Sequence, residues 1–272
     1  MPSSQPQPDS QTASAPANPT AGALLVATSP TNDAAEPLLW RTMHRQAMAL
    51  WSLSAFANYL HPRSDATSGF PAPLLTGIVI LARHNRATEA QKLASLARAP
   101  AWQSLIRVIL SAAEWHATLA AGLAALPQDC DWIIVQDALR PLVDRIDPRL
   151  GLRAALAADG VALACEPITD TLKRVADGRV VETLPRANLR RLETPLVIRR
   201  DVLARALQSA PENAGLVEIA RASGARVALY TPIGINPAVT NEADWVVAES
   251  VLKQRVYYPF LAEDEKSGLE IE

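Results

Sequence analysis

Glycine is scarce in this chain, at 11 of 272 residues, against about 7% in an average protein. A phosphate-binding loop consumes several glycines over a few positions, because backbone N–H groups approach a phosphate closely only where no Cβ intervenes. The scarcity leaves few places for such a loop. Cysteine is rarer still. Cys130 and Cys165 sit in or beside apolar runs with no histidine or cysteine at metal spacing, the pattern of buried packing residues rather than of a disulfide or a ligand pair. No stretch approaches the ~18 uninterrupted apolar residues of a membrane helix. The N-terminus has neither the charged start nor the apolar block of a signal peptide, so a cytoplasmic protein with no membrane contact is expected. Charge of either sign is also close to balance. A net charge of -2 gives no general attraction to nucleic acid, so no nucleic-acid partner is expected and any phosphate must be held by a local site.

What the chain does have is apolar content, 49% over 272 residues, enough for one substantial core. Residues 1–20 are mostly Ser, Gln, Pro, Ala and Asn and read as a disordered tail, and the acidic stretch from 257 to 272 reads as a second tail. Between them, residues 21–256 form the expected domain. Short β-branched or apolar runs recur at 23–27, 77–82, 105–110, 132–135, 161–165 and 225–230. Most are separated by segments of helical spacing, such as Met48, Trp51 and Ala55, or Leu119, Leu123 and Leu126. Parallel strands need crossover helices, so this rhythm predicts an α/β fold with a doubly wound, mostly parallel sheet. One segment breaks it. Residues 171–184 alternate around Asp177-Gly178, a hairpin dipeptide, and a projecting β-arm over about 168–186 is expected. A last helix is expected over Glu242–Lys253.

Three segments carry candidate chemistry. Val135-Gln136-Asp137-Ala138-Leu139-Arg140-Pro141 follows an apolar strand, which puts Asp137 at the carboxyl end where open α/β sheets bind ligands. Pro167-Ile168-Thr169-Asp170-Thr171-Leu172-Lys173-Arg174 leads into the arm, and Glu193-Thr194-Pro195 follows it. In that order and with those gaps the segments resemble the sugar-phosphate half of 2-C-methyl-D-erythritol 4-phosphate cytidylyltransferases, which join CTP to methylerythritol phosphate in non-mevalonate isoprenoid synthesis. The family's Asp-Ala-Ala-Arg-Pro differs here only at Leu139. The resemblance implies a Rossmann-like nucleotidyltransferase fold, with Asp137, Ala138, Arg140, Thr171, Arg186 and Thr194 as substrate-binding residues. It also implies Mg2+ as cofactor if the chain is active. The arm would cross to a second subunit, where Arg186 completes the neighbour's pocket, in a homodimer or a heterodimer. Thr171 also suits a plain strand position, and Arg186 belongs to a crowd with Arg190, Arg191, Arg199 and Arg200.

The nucleotide half departs from the family. Its Ala-Ala-Gly-x-Gly-x-Arg loop reads Ala27-Thr28-Ser29-Pro30-Thr31-Asn32-Asp33 here, without glycine or arginine and with a proline that has no N–H to donate. The family's Pro-Lys pair reads Pro37-Leu38. The Gly-Gly pair, arginine and serine before a later helix become Ser111-Ala112, Trp115 and Thr118, and the late Asn-Ile-Lys-Val-Thr strand reads Asn236-Pro237-Ala238-Val239-Thr240. No catalytic residue is assigned. Arg41, His44 and Arg45 are the nearest cations in sequence that could substitute for the missing lysine. Two expectations stand side by side: a cytidylyltransferase weak or inactive alone, and a non-catalytic dimerising partner of an intact paralogue. A third ligand class, a smaller anion held by the hydroxyls of Thr28, Ser29 and Thr31, also remains.

Overall fold

Every apolar run identified above becomes a strand of one seven-stranded sheet. The computed structural model describes residues 19–28, 33–56, 59, 73–96, 104–111, 115–144, 146–211 and 214–254. Along them run β1 (Thr20–Ala27), α1 (Glu36–Trp40), β2 (Thr42–Met43), β3 (Gln46–Ala47), α2 (Met48–Ser54), β4 (Leu74–Arg83), α3 (Ala87–Leu96), β5 (Ile106–Ser111) and α4 (Trp115–Ala125). There follow β6 (Trp132–Asp137), α5 (Asp147–Leu156), β7 (Val161–Pro167), β8 (Leu172–Ala176), β9 (Arg179–Leu184), β10 (Arg190–Arg199), α6 (Arg200–Ser209), α7 (Leu216–Ala222), β11 (Ala228–Tyr230) and α8 (Glu242–Gln254). The expected tails lie outside the described residues, except that Thr20 already pairs with Leu74 as part of β1.

The sheet order is β11-β7-β10-β6-β1-β4-β5, parallel throughout except for β10. Its strands divide their side chains between two cores. In β1, Ala21, Ala23, Leu25 and Ala27 join one buried cluster, which also takes in Leu39, Trp51 and Leu152. Leu24 and Val26 join the other, with Leu119, Leu203 and Ile219. That period of two is what a strand covered on both faces must show. Helix α6 supplies its share through Val202, Leu203, Ala206 and Leu207, a stripe at helical spacing.

Strand β10 is the one strand of the seven-stranded sheet that the periodicity did not reveal. Arg190, Arg191, Glu193 and Pro195 disguise it, and proline in particular argues against a central strand. The structure resolves the conflict with an irregularity: pairing with β7 shifts register between Leu192 and Leu196, so Pro195 falls where no regular ladder is formed. The arm formed by β8 and β9 turns at Asp177 (φ 49°) and Gly178 (φ 72°), the consecutive positive angles that a two-residue hairpin loop needs.

Candidate functional site

Asp137 is the last residue of β6, and the turn after it is built on its carboxylate. Leu139 N–H donates to Asp137 Oδ1 at 2.9 Å. Ala138 N–H donates to the Val26 carbonyl of β1 at 2.9 Å, and Arg140 N–H to the Asp137 carbonyl at 3.1 Å. Beneath the turn, the buried Ser52 hydroxyl of α2 lies 3.1 Å from the Ala138 carbonyl and 3.0 Å from that of Arg140.

Arg140 fans out from this turn. Its Nη1 donates to the Asn236 carbonyl at 2.7 Å and its Nη2 to the Leu192 carbonyl at 3.2 Å. The same guanidinium stands between two carboxylates, with Nε 3.8 Å from Asp137 Oδ2 and Nη1 3.7 Å from Glu193 Oε1. Thr194 locks β10 to β6 by accepting the Asp137 N–H on Oγ1 at 3.1 Å. The Asn236 side-chain amide donates to the Thr194 carbonyl at 3.0 Å.

Over these groups opens a cleft of about 500 Å3 at the carboxyl edge of the parallel strands. Asp137, Arg140, Glu193 and Thr194 lie on one side, with Thr28, Trp115, Leu216, Val217, Ala238 and Thr240 completing the wall. Asp137 keeps 30% of its side chain exposed and Arg140 13%, whereas the Glu193 side chain has none. Burial pushes the Asp137 carboxyl above its ordinary range, against the opposing pull of the Leu139 N–H and Arg140. Burial likewise raises Glu193. Arg140 and Arg191 oppose that rise, while the Glu166 carboxylate adds to it.

The six residues singled out from sequence therefore separate. Asp137, Arg140 and Thr194 come together on the cleft. Ala138 is fully buried and serves the turn through its backbone. Thr171 and Arg186 are exposed at the base of the arm, outside the cleft lining, and Arg186 Nη1 donates to the Thr169 carbonyl.

On the nucleotide side, Thr28 reaches the cleft, while Ser29–Asn32 lie outside the described residues. Arg41 pairs with Glu242 and lies over the Trp245 ring at 4.3 Å. His44 stacks on Trp51 with ring centroids 6.3 Å apart. Neither of these, nor Arg45, lines the cleft, and among its described lining residues Arg140 is the sole cation. Two arginines that the sequence gave no reason to select stand close to the end of β1. Arg83 ends β4 one position beyond the Ala27–Ala82 pair. Its Nε, and that of Arg86, each lie 3.3 Å from the buried Glu36 carboxylate. Thr118 is buried and donates to Ser111 Oγ at 2.9 Å.

Glu193, Leu192, Trp115 and Thr240 are cleft residues that sequence reasoning did not assign to the site. Glu193 had a signal, since it opens the Glu-Thr-Pro segment. Without β10, however, its side chain could not be assigned a direction. Among the described residues no three His, Cys, Asp or Glu side chains gather into a metal cage. Asp137 already accepts the Leu139 N–H on one oxygen and faces Arg140 with the other. This donor set does not fit a protein-held Mg2+. No helix among the described residues is long and apolar enough to cross a membrane.

Comparison with known proteins bears on the family and the fold. The family model described as 2-C-methyl-D-erythritol 4-phosphate cytidylyltransferase matches residues 65–254, from before β4 to the end of α8. The enzyme of that name from Dehalococcoides mccartyi strain 195 is 34% identical over 142 residues, covering 50% of this chain and 60% of the relative. That of strain CBDB1 is 31% identical over 181 residues, covering 65% and 76%. The crystal structure of a 4-diphosphocytidyl-2C-methyl-D-erythritol synthase from Anaerococcus prevotii superposes with a TM-score of 0.66 at 15% identity, covering 86% of this chain and 99% of that one. A family model spanning most of the sheet, together with relatives at 31–34% identity, shows that this chain belongs to the 2-C-methyl-D-erythritol 4-phosphate cytidylyltransferase family.

Proposed function

We propose that this chain binds methylerythritol phosphate in the cleft beside Asp137, Arg140 and Thr194, and that alone it transfers a cytidylyl group from CTP weakly or not at all. In cytidylyl transfer an oxygen of the sugar phosphate attacks the α-phosphorus of CTP and pyrophosphate leaves. Catalysis is then chiefly positioning and neutralisation of developing charge. The supporting observation is the imbalance of the cleft. One guanidinium faces two carboxylates there, and no other cation lines it among the described residues. Losing one charge-stabilising donor typically costs ~10²–10³ in rate. Arg83 and Arg86 are already compensated by Glu36 and, for Arg86, by Glu89. The Mg2+ would arrive with the triphosphate rather than on protein ligands. We place the chain in the cytoplasm, with small-molecule substrates.

Titration calorimetry with methylerythritol phosphate and, separately, with Mg-CTP tests this, beside an assay of pyrophosphate release. Binding of the sugar phosphate with little or no CTP binding or turnover is expected. Tight Mg-CTP binding with sustained turnover would refute it and would turn attention to Arg83 and Arg86.

A second reading draws on the arm. Val175, Val180 and Val181 are 58%, 64% and 56% exposed there, and Arg186 lies outside its own cleft. Exposed apolar patches on a hairpin suit a subunit contact. The chain would then dimerise through β8 and β9, with itself or with an intact paralogue, and lend Arg186 to the partner. Sedimentation of the wild type against Val175→Ser/Val180→Ser checks this: a dimer that falls apart in the variant is expected, and a monomeric wild type, with no paralogue co-purifying, refutes it.

A further inference from the structure

Glu193 is a buried carboxylate of the cleft that is only partly satisfied. Its side chain has no solvent exposure, and its Oε2 has no hydrogen-bond partner among the described residues. Among the described residues its neighbours of opposite charge are Arg140 Nη1 at 3.7 Å and Arg191 Nη2 at 3.2 Å, and Arg191 is shared with Glu166. A buried carboxylate at that distance, inside a low-dielectric wall, cancels much of the field that a guanidinium projects into the cleft. Asp137, 3.8 Å from the other side of the same guanidinium, cancels more.

We propose that Glu193 sets the affinity of the cleft for phosphorylated ligands by neutralising Arg140, so that the cleft as built holds its phosphate weakly and strengthens its hold when the Glu193 charge is removed. This deepens the proposed function and rests on it, since it takes the ligand to be a sugar phosphate. The effect is electrostatic and needs no contact between ligand and Glu193, which is sealed from solvent. Arg140 is the group that meets the anion, through the N–H positions not directed at Asn236 and Leu192, and Glu193 acts through it. The groups facing Glu193 are Arg140 after β6, Arg191 on its own strand, Glu166 on β7 and Tyr230 on β11, with Cys165 behind them. Burial raises the carboxyl, so its protonation removes the same charge that a neutral substitution removes.

The test is calorimetric titration of the full chain with methylerythritol phosphate and with inorganic phosphate. It compares wild type, Glu193→Gln and Glu193→Asp, each checked for folding by circular dichroism. Glu193→Gln is expected to tighten methylerythritol phosphate binding about tenfold or more, the scale of one charge interaction a few ångströms from the site. Glu193→Asp keeps the charge and should stay within about threefold of wild type. A structural role alone predicts the opposite, because losing a support of Arg140 weakens binding. If wild type binds methylerythritol phosphate and Glu193→Gln binds it equally or less tightly, the inference fails and the proposed function stands. If wild type and Glu193→Gln both bind neither ligand, both fail. Should Glu193→Gln not fold, Glu193→Met takes its place as the neutral variant, and binding no tighter than wild type overturns the inference.

Discussion

Replacing Arg140 by methionine keeps a long side chain and deletes the cation. Two hydrogen bonds from a charged donor go with it, to the Asn236 and Leu192 carbonyls at 2.7 and 3.2 Å, each contributing about 1.5–3 kcal/mol. The change also leaves Glu193 and Asp137 without the guanidinium between them, and breaking a buried pair by removing one partner costs about 3–5 kcal/mol. These contributions overlap, because the same atoms make both, so the total expected is about 3–5 kcal/mol rather than their sum. For a domain of this size about 2–4 °C of melting temperature is lost per kcal/mol, so a drop on the order of 10 °C is expected. The origin of the loss is then tested by a cycle with Glu193→Gln. If an orphaned carboxylate carries part of the cost, Arg140→Met/Glu193→Gln should recover about 1–3 kcal/mol relative to Arg140→Met. Urea unfolding followed by far-UV circular dichroism at neutral pH reads both quantities. A loss under about 1 kcal/mol for Arg140→Met, or strict additivity in the cycle, would refute the account of Arg140 as the hub joining β6, β10 and the segment around Asn236.

The raised carboxyl of Glu193 fixes the sign of a pH effect: its favourable contribution is fully present below the unfolded value, about 4.3, and is lost as pH rises through the higher folded value. Wild type should therefore gain stability relative to Glu193→Gln as the pH is lowered from neutral toward the carboxylate range, and parallel stability curves from urea titrations at several pH values would contradict this. Gly151→Ala would put a Cβ 2.6 Å from Val197 Cγ2 and 3.1 Å from the Tyr230 ring, forcing α5 off the sheet; a loss of about 1–3 kcal/mol is expected, and an unchanged melting temperature would show that the helix has room to shift. Tyr230→Phe removes a buried hydroxyl that donates to the Pro195 carbonyl at 2.9 Å, which should cost about 1 kcal/mol or somewhat more, read in the same urea titration; no change would mean that the carbonyl finds another donor.

The sheet was legible because strands covered on both faces must be apolar at consecutive positions, and Leu24-Leu25-Val26, Ile133-Ile134-Val135 and Val161 to Cys165 have no other economical arrangement. The arm was legible from Asp177-Gly178, whose backbone angles few other dipeptides accept. Strand β10 was not, because its strand character comes from neighbours rather than from its own residues. Leu196, Val197 and Ile198 are its apolar half, and the charged half from Arg190 to Glu193 is carried past a register shift by pairing with β7. The site divided along the same line. Asp137 and Arg140 lie within one contiguous turn and could be placed from sequence, but the partners that fix them, Asn236, Leu192 and Thr194, arrive from segments over 50 residues away. Local sequence carries no information about that convergence.

A cleft shaped only for stability would not place Glu193 where it is. Filling that position with an apolar side chain of similar volume typically holds or raises stability, and the surrounding strand already supplies Leu192 and Leu196 in adjoining positions. The carboxylate instead lies beside the sole described cation of the cleft, with Oε1 3.2 Å from Arg191 and 3.7 Å from Arg140 and Oε2 without a partner among the described residues. Groups that break a local rule without a compensating contact concentrate at functional sites, where the energy they cost is recovered in binding or selectivity. Thr194, the next residue, is bonded through both its hydroxyl and its carbonyl, to Asp137 and to Asn236. The backbone that presents Glu193 is thus held in place from both neighbouring segments, while its side chain is left only partly satisfied. That combination of a fixed frame and a buried carboxylate set against Arg140 is what a device for tuning Arg140 requires, and neither feature alone would supply it.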